Sequence, residues 1–338
     1  MIRFFENYSL KNHNTFGIDT KAKYFFEFTD PVDLHIFLND NKSWKEDKII
    51  VLGEGSNVLF LDGFDGLVIH PKVPGIKKIN EDRNNCWIEV GAGEVWDEFV
   101  EYAVTYNLGG VENLSLIPGT VGAAPVQNIG AYGQEVCSVV EKVVGFDLEK
   151  QMPGEYSVEE CRFAYRDSIF KSYLKNRFII TSVVFRLEKF PEFNLKYGQL
   201  EQRVKERGET TLQTIREAVI EIRNAKLPQV KDIGNAGSFF KNPVVETALA
   251  EKLKAAYENV PVYAAPGGKV KLAAGWLIEQ TGWKGVRDGN VGVHKDQALV
   301  LVNYGNATGK EVWDFSEKIK NAVFKKFGVE LEREVNCV

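Results

Sequence analysis

The chain has 338 residues, 44% of them apolar and 26% charged, with a formal net charge of −5. At roughly 150 residues per domain this allows about two domains with real cores, and it is too apolar for a disordered chain. The slight acidic excess argues against a protein that works by neutralising nucleic-acid phosphates.

No run approaches 18 apolar residues, so no membrane-spanning helix is expected. The N-terminal MIRFFENYSLKNHNTFG lacks an apolar h-region, which points to a cytoplasmic protein. Cys86, Cys137, Cys161 and Cys337 form no C-x-x-C-type pair and are too sparse for a disulfide scaffold, so free thiols are expected. The histidines His13, His35, His70 and His294 are scattered, and no metal site is expected.

The first third reads as strands and tight turns. KIIVLG (48–53), GLVIHP (66–71) and CWIEVGAG (86–93) are β-branched or aromatic runs bounded by Gly and Pro. The period changes over 94–108, where Trp96, Phe99, Val100, Ala103 and Val104 form one helical stripe. RFIITSVVFRLEK (177–189) is again a strand, and the polar 190–210 reads as a connecting region. A helix is expected over 211–226, with Leu212, Ile215, Val219 and Ile222 on one face and Pro228 beyond its end. QALVLVNYG (297–305) is a buried-strand candidate. A last helix is expected over 309–327, with Gly328 as its C-terminal cap. The mixture lacks regular βαβ alternation, so the fold class is α+β.

Two glycine-rich segments stand out. GEGSNVLF (53–60) starts like a dinucleotide fingerprint, but Val58 takes the third glycine position and no helix follows. A Rossmann site is therefore rejected, although small residues still suit an anion nest. NLSLIPGTVGAAPVQNIGAYG (113–133) is rich in small residues, which lets backbone approach a flat or charged ligand closely. Two such loops suggest a diphosphate-bearing cofactor.

The motifs HNTFGI (13–18), GEGSNVLF (53–60), ENLSLIPGTVGAAPVQNIGAYG (112–133), CRFAYRDSIFK (161–171), GSFFKNP (237–243), KLAAGWLIE (271–279) and LEREV (331–335) occur in this order. Together they resemble the UDP-N-acetylenolpyruvoylglucosamine reductases, from about residue 10 to residue 335. The resemblance implies a two-part flavin-binding domain of the vanillyl-alcohol-oxidase type plus a smaller α+β substrate domain. The parts would be 1–70 (with 328–338 returning to the site), 71–227, and 228–327 for substrate. It implies that FAD contacts Gly53, Gly55, Ser56, Asn57, Val58 and Leu59 in the first loop. In the second it implies Ser115, Ile117, Pro118, Gly119, Thr120, Gly122, Ala123, Gln127, Asn128 and Gly130, with Arg223 added. NADPH would reduce FAD. Reduced flavin would then reduce the enolpyruvyl double bond of UDP-N-acetylenolpyruvoylglucosamine to give UDP-N-acetylmuramate, a peptidoglycan precursor. A small-molecule substrate and a monomeric enzyme are expected.

That reaction leaves charge on the carbon beside the carboxylate, as an enolate needing a clamp and a proton. Arg166, in the YRDSIFK stretch, suits the clamp, because a guanidinium grips a carboxylate as a fork. Ser238 matches the family's proton donor. Glu334 matches its active-site carboxyl group, whose pKa should rise in a desolvated pocket. Many relatives carry Arg two residues after this Glu; here Asn336 stands there and cannot neutralise a reduced flavin, a task left to a loop dipole or Arg223. Tyr197, Lys226, Asn242, Lys284 and Gln297 match substrate-binding positions, and Tyr197 would close over the nucleotide from a mobile loop. Two other readings remain. A flavin oxidase of the same superfamily would often tether flavin through His or Cys, and the matched loops offer no His and only Cys137 close by. A non-catalytic nucleotide-binding module would have no need for Arg166, Ser238 and Glu334 together.

Overall fold

The computed structural model describes residues 2–40, 44 and 48–338. The chain forms two compact units, each assembled from separated segments. The first comprises Met1–Tyr8, Ala22–Glu54 and Asp65–Ala225; the second comprises Ser9–Lys21, Gly55–Phe64 and Lys226–Val338.

The first unit is built mainly on two sheets. In one, the strands run in the order Ile2–Ser9, Lys21–Phe28, Phe64–Pro71, Lys48–Val51, and the last two are parallel. The expected strands at 48–53 and 66–71 are here, somewhat shifted at their ends. The other sheet is antiparallel, in the order Met152–Ser157, Val140–Asp147, Phe178–Glu188, Asn85–Gly91, Ile76–Glu81. Its central strand is apolar almost throughout because it is covered on both faces. Ile179 packs with Phe26 and Ile69, whereas Val183 and Phe185 pack with Phe99 and Trp96 of the helix Trp96–Thr105. Each fully buried Phe contributes roughly 2 kcal/mol of hydrophobic stabilisation.

The first third is not all strand. A helix spans Pro31–Asp40, with Asp30 Oδ1 accepting from Val32 N at 2.9 Å and proline at the first helical position. It buries Leu34, Phe37 and Leu38, and Phe37 stacks on Phe26 at 3.8 Å between centroids. The connecting region at 190–210 also holds a helix, Leu200–Lys205, because Leu200 and Val204 bury against Ile215 and Val219. Those partners lie on the expected helix, observed as Leu212–Lys226. Thr211 and Thr214 close its start reciprocally, each backbone N–H donating to the other's hydroxyl, at 2.9 and 3.1 Å.

The second unit is built on an antiparallel sheet ordered Gly234–Ser238, Val300–Asn303, Val291–Val293, Arg287–Asp288, and a small sheet ordered Val244–Val245, Val270–Leu272, Val262–Ala264. The helix Gly309–Phe327 covers the core with Val312, Ile319 and Val323. A Thr308/Glu311 capping box starts it and Gly328 ends it at φ 66°. The core also contains Phe16, Ile18 and Leu59 from the two N-terminal segments. Gly309 lies so close to Phe60 that a Cβ would fall 1.7 Å from its carbonyl oxygen. Among the described residues no helix is long and apolar enough to cross a membrane.

Candidate active site

The first unit carries the second glycine-rich loop. Trp96 anchors it twice: its indole N–H donates to Leu114 O at 2.9 Å, and its backbone N–H to Gly119 O at 3.0 Å. Ser115 is fully buried and donates to Glu112 O at 2.6 Å. Three single-turn helices, Glu112–Leu114, Val121–Ala123 and Pro125–Gln127, compact the segment. Gly122 sits against Ala92, where a Cβ would meet the Ala92 methyl at 2.6 Å. Gly53 borders the same loop, since a Cβ there would lie 2.8 Å from Thr120 Oγ1 and 3.5 Å from the Ala123 methyl. The two glycine-rich segments therefore meet at Gly53, Thr120 and Ala123, leaving a cradle that side chains would fill.

Asn128 has φ 46°, and its side chain is committed to scaffolding. Its amide donates to Glu135 and Ala164 O, and its oxygen accepts from Cys137 N, each at 3.1 Å. The backbone carbonyls of Asn128 and Gly130 point the other way, towards Arg166. Arg166 Nη2 donates to Gly130 O at 2.8 Å and Nη1 to Asn128 O at 3.4 Å, which orients the guanidinium plane. Arg166 has φ 56°, an uncommon backbone state for a residue with a long side chain. Such strain concentrates where function dictates a side chain's direction.

Tyr132, also at positive φ, packs edge-on to Tyr197 with centroids 6.0 Å apart. Asn113 fastens this corner, donating to Tyr132 O at 2.9 Å and to Asn194 O at 2.8 Å. Arg223 approaches from the helix Leu212–Lys226. Burial pulls its guanidinium below its usual range, opposed by Tyr132 and Asp97, while burial pushes the Tyr132 phenol up. Arg223 Nε is buried without a hydrogen-bond partner among the described residues. An orphaned buried donor near Tyr132, at the end of the second glycine-rich segment, fits a polar, anion-bearing cofactor.

The second unit carries the first glycine-rich loop from Gly55 onward, together with Ser238 and Glu334. Gly55 has φ +65°, and a Cβ there would fall 2.1 Å from His13 O, so only glycine fits. Thr15 N donates to Gly55 O at 3.2 Å, which ties the HNTFGI segment to the loop. Residues 58–59 pair in parallel with 336–337, and both the backbone and side-chain N–H of Asn336 donate to Asn57 O at 3.1 Å. Asn336 thus ties the C-terminal strand to the loop.

A bulge between Asn235 and Ser238, with Gly237 at φ 65°, re-aims Ser238 at the end of its strand. No hydrogen bond from the Ser238 hydroxyl is found among the described residues. Beside it, Phe240 bridges Arg333 antiparallel, and Glu334 N donates to Phe239 O at 2.8 Å. The backbone of Glu334 is thereby fixed against Phe239, the residue after Ser238, with Arg333 stacked on Trp313 at 3.6 Å and donating to Ser316.

Family models match both units: an FAD binding domain over residues 42–149, and the C-terminal domain of UDP-N-acetylenolpyruvoylglucosamine reductase over 228–338. The chain is 47% identical over 335 residues to the UDP-N-acetylenolpyruvoylglucosamine reductase of Amoebophilus asiaticus, covering 98% of each chain. It is 45% identical over 337 residues to that of Pseudomonas putida, covering 99% of each. The crystal structure of the corresponding reductase of Thermus caldophilus superposes with a TM-score of 0.68 at 25% identity, covering 100% of this chain and 98% of that one. This chain belongs to the UDP-N-acetylenolpyruvoylglucosamine reductase family. The α+β expectation, with a flavin-binding part and a substrate part, is borne out.

Within the second unit, three of the expected substrate positions gather around the helix Ala274–Gln280. Asn242 Oδ1 accepts from Ala274 N at 2.9 Å, Lys284 pairs with Glu279 at 2.9 Å, and Gln297 accepts from Leu299 N at 3.4 Å across from Gly275. Lys226 ends its helix, and Tyr197 is 47% exposed on a loop of the first unit. Thr15, Asp97 and Arg216 support the glycine-rich segments without having been singled out from the sequence. Arg216 did leave a signal, a charge set into the apolar stripe of Leu212, Ile215 and Val219.

Proposed function

We propose that this chain reduces the enolpyruvyl group of UDP-N-acetylenolpyruvoylglucosamine with electrons from NADPH, giving UDP-N-acetylmuramate. As a family member it is an FAD-dependent oxidoreductase of peptidoglycan synthesis. Bound FAD would supply the redox chemistry that links NADPH oxidation to reduction of the vinyl group. Gly53, Thr120 and Gly122 would hold its diphosphate, and Arg223 would offer a donor to it.

Arg166 grips the substrate carboxylate. Its plane is set by the carbonyls of Asn128 and Gly130, and its charge persists as the enolate forms. Ser238 delivers the proton from its hydroxyl to the carbon beside the carboxylate. Glu334, on the adjoining segment, donates a hydrogen bond or proton towards the enolate. Lys226, Asn242, Lys284 and Gln297 bind the sugar nucleotide, with Tyr197 covering it. We place the working enzyme in the cytoplasm as a monomer.

The observation that carries the mechanism is the pairing of residues 239–241 with 332–334, which brings the strand segment holding Glu334 against the one that begins at Ser238 although nearly a hundred residues separate them. The test is Ser238→Ala, followed one half-reaction at a time by stopped-flow absorbance. Flavin reduction by NADPH stays within twofold of the parent, while oxidation of reduced flavin by the sugar nucleotide slows by about 100-fold or more. Equal slowing of both steps would remove Ser238 as the proton source.

A further inference from the structure

Arg216 is a charged residue on the buried face of the helix Leu212–Lys226, only 7% exposed. It forms a bidentate fork with Asp97, at 2.6 and 3.0 Å. Asp97 stands in the first turn of the helix Trp96–Thr105, where the helix dipole also favours a carboxylate. The same Oδ1 that meets Arg216 accepts the backbone N–H of Leu116. Leu116 has φ 59°, a left-handed conformation that costs a branched side chain free energy. It sits between Ser115 and Ile117, immediately before Pro118 and Gly119.

We infer that Arg216 and Asp97 form a brace that acts through Leu116 to hold the 115–120 segment in its cofactor-binding shape, making both of them positioning residues for FAD. The Arg216 fork fixes the orientation of the Asp97 carboxylate. The carboxylate in turn pins the one amide that keeps Leu116 left-handed. Without the brace Leu116 relaxes to negative φ, and the residues after it shift away from the cradle formed with Gly53. The inference rests on the reading that this loop holds FAD.

The experiment measures FAD release from purified holoenzyme, followed by the recovery of free-flavin fluorescence on dilution. Arg216→Met keeps the aliphatic stem and removes the fork; release is expected to accelerate at least tenfold. Arg216→Lys, which restores a single charged contact, is expected to fall between Arg216→Met and the parent. Leu116→Gly separates positioning from general stability, because glycine takes positive φ without strain. In the Leu116→Gly background, Arg216→Met is expected to change release less than threefold. Gly53→Ala tests the loop reading itself. If Gly53→Ala leaves release unchanged, the loop does not hold FAD and the inference loses its basis. If Gly53→Ala accelerates release but Arg216→Met does not, the brace is overturned and the loop reading stands. Equal acceleration by Arg216→Met in both Leu116 backgrounds also overturns it, since the effect would then not pass through Leu116. If Arg216→Met yields no folded holoenzyme, Asp97→Asn replaces it, with at least a fivefold acceleration expected and an unchanged rate counting against the brace.

Discussion

Arg166 combines an uncommon backbone state with a guanidinium aimed by two carbonyls, and both features serve direction rather than charge alone. Lysine would keep the charge and lose the planar fork. Arg166→Lys is therefore expected to lower kcat/KM by about 100-fold, on the order of 2–3 kcal/mol, while the flavin absorption spectrum stays unchanged. His70 supplies a second prediction at this scale. It is buried, its Nδ1 contacts Leu52 O at 2.7 Å just before the first glycine-rich segment, and its Nε2 lies 3.7 Å from Glu27. Burial lowers its pKa most strongly, and Lys72 adds to that; the Leu52 carbonyl, Glu27 and Glu54 oppose it. The folded state thus binds this proton less readily than the unfolded chain does. The stability His70 contributes is complete above about pH 6.5 and is lost as pH falls through its depressed folded value. Urea midpoints at pH 7.5 and 5.5 should diverge in the parent and draw together in His70→Asn, which keeps a donor towards Leu52.

At the scale of elements, the helix Gly309–Phe327 has both ends specified locally, and its ends were the ones the sequence placed correctly. Gly328→Ala forces a Cβ into φ 66° and should cost about 1 kcal/mol, measured as a lower urea midpoint with unchanged slope. The helices at 96–105 and 212–226 were legible for a related reason, a continuous apolar stripe. Pro31–Asp40 was not, because only three of its ten residues are buried and its start signal, Asp30 before Pro31, also reads as a turn. Leu200–Lys205 is too short to show a period. At the site, the glycine-rich segments and the seven motifs could be read off the chain, and the motifs carried the roles. The pairing of 239–241 with 332–334 could not, since it depends on two segments joined only by tertiary structure. Nor could the Asp97–Leu116 contact, where a side chain recognises a backbone amide that looks like any other in sequence.

At the scale of the molecule, the second unit draws on three stretches of chain. Phe16, Ile18 and Leu59 fill its core from the first two. Their burial is worth about 6 kcal/mol together, comparable to the whole net stability of a typical domain. Residues 226–338 expressed alone should consequently lack a cooperative thermal transition and show poor amide dispersion by NMR. A well-dispersed spectrum would show that the long stretch folds unaided. Gly309, with no space for even a methyl group against the Phe60 carbonyl, belongs to the same interlacing. Recombination between related genes meets this constraint directly. A single crossover near residue 226 would hand a substrate lobe the core plugs of a different lineage, so hybrids of diverged parents should survive mainly when 9–21, 55–64 and 226–338 are inherited as one block.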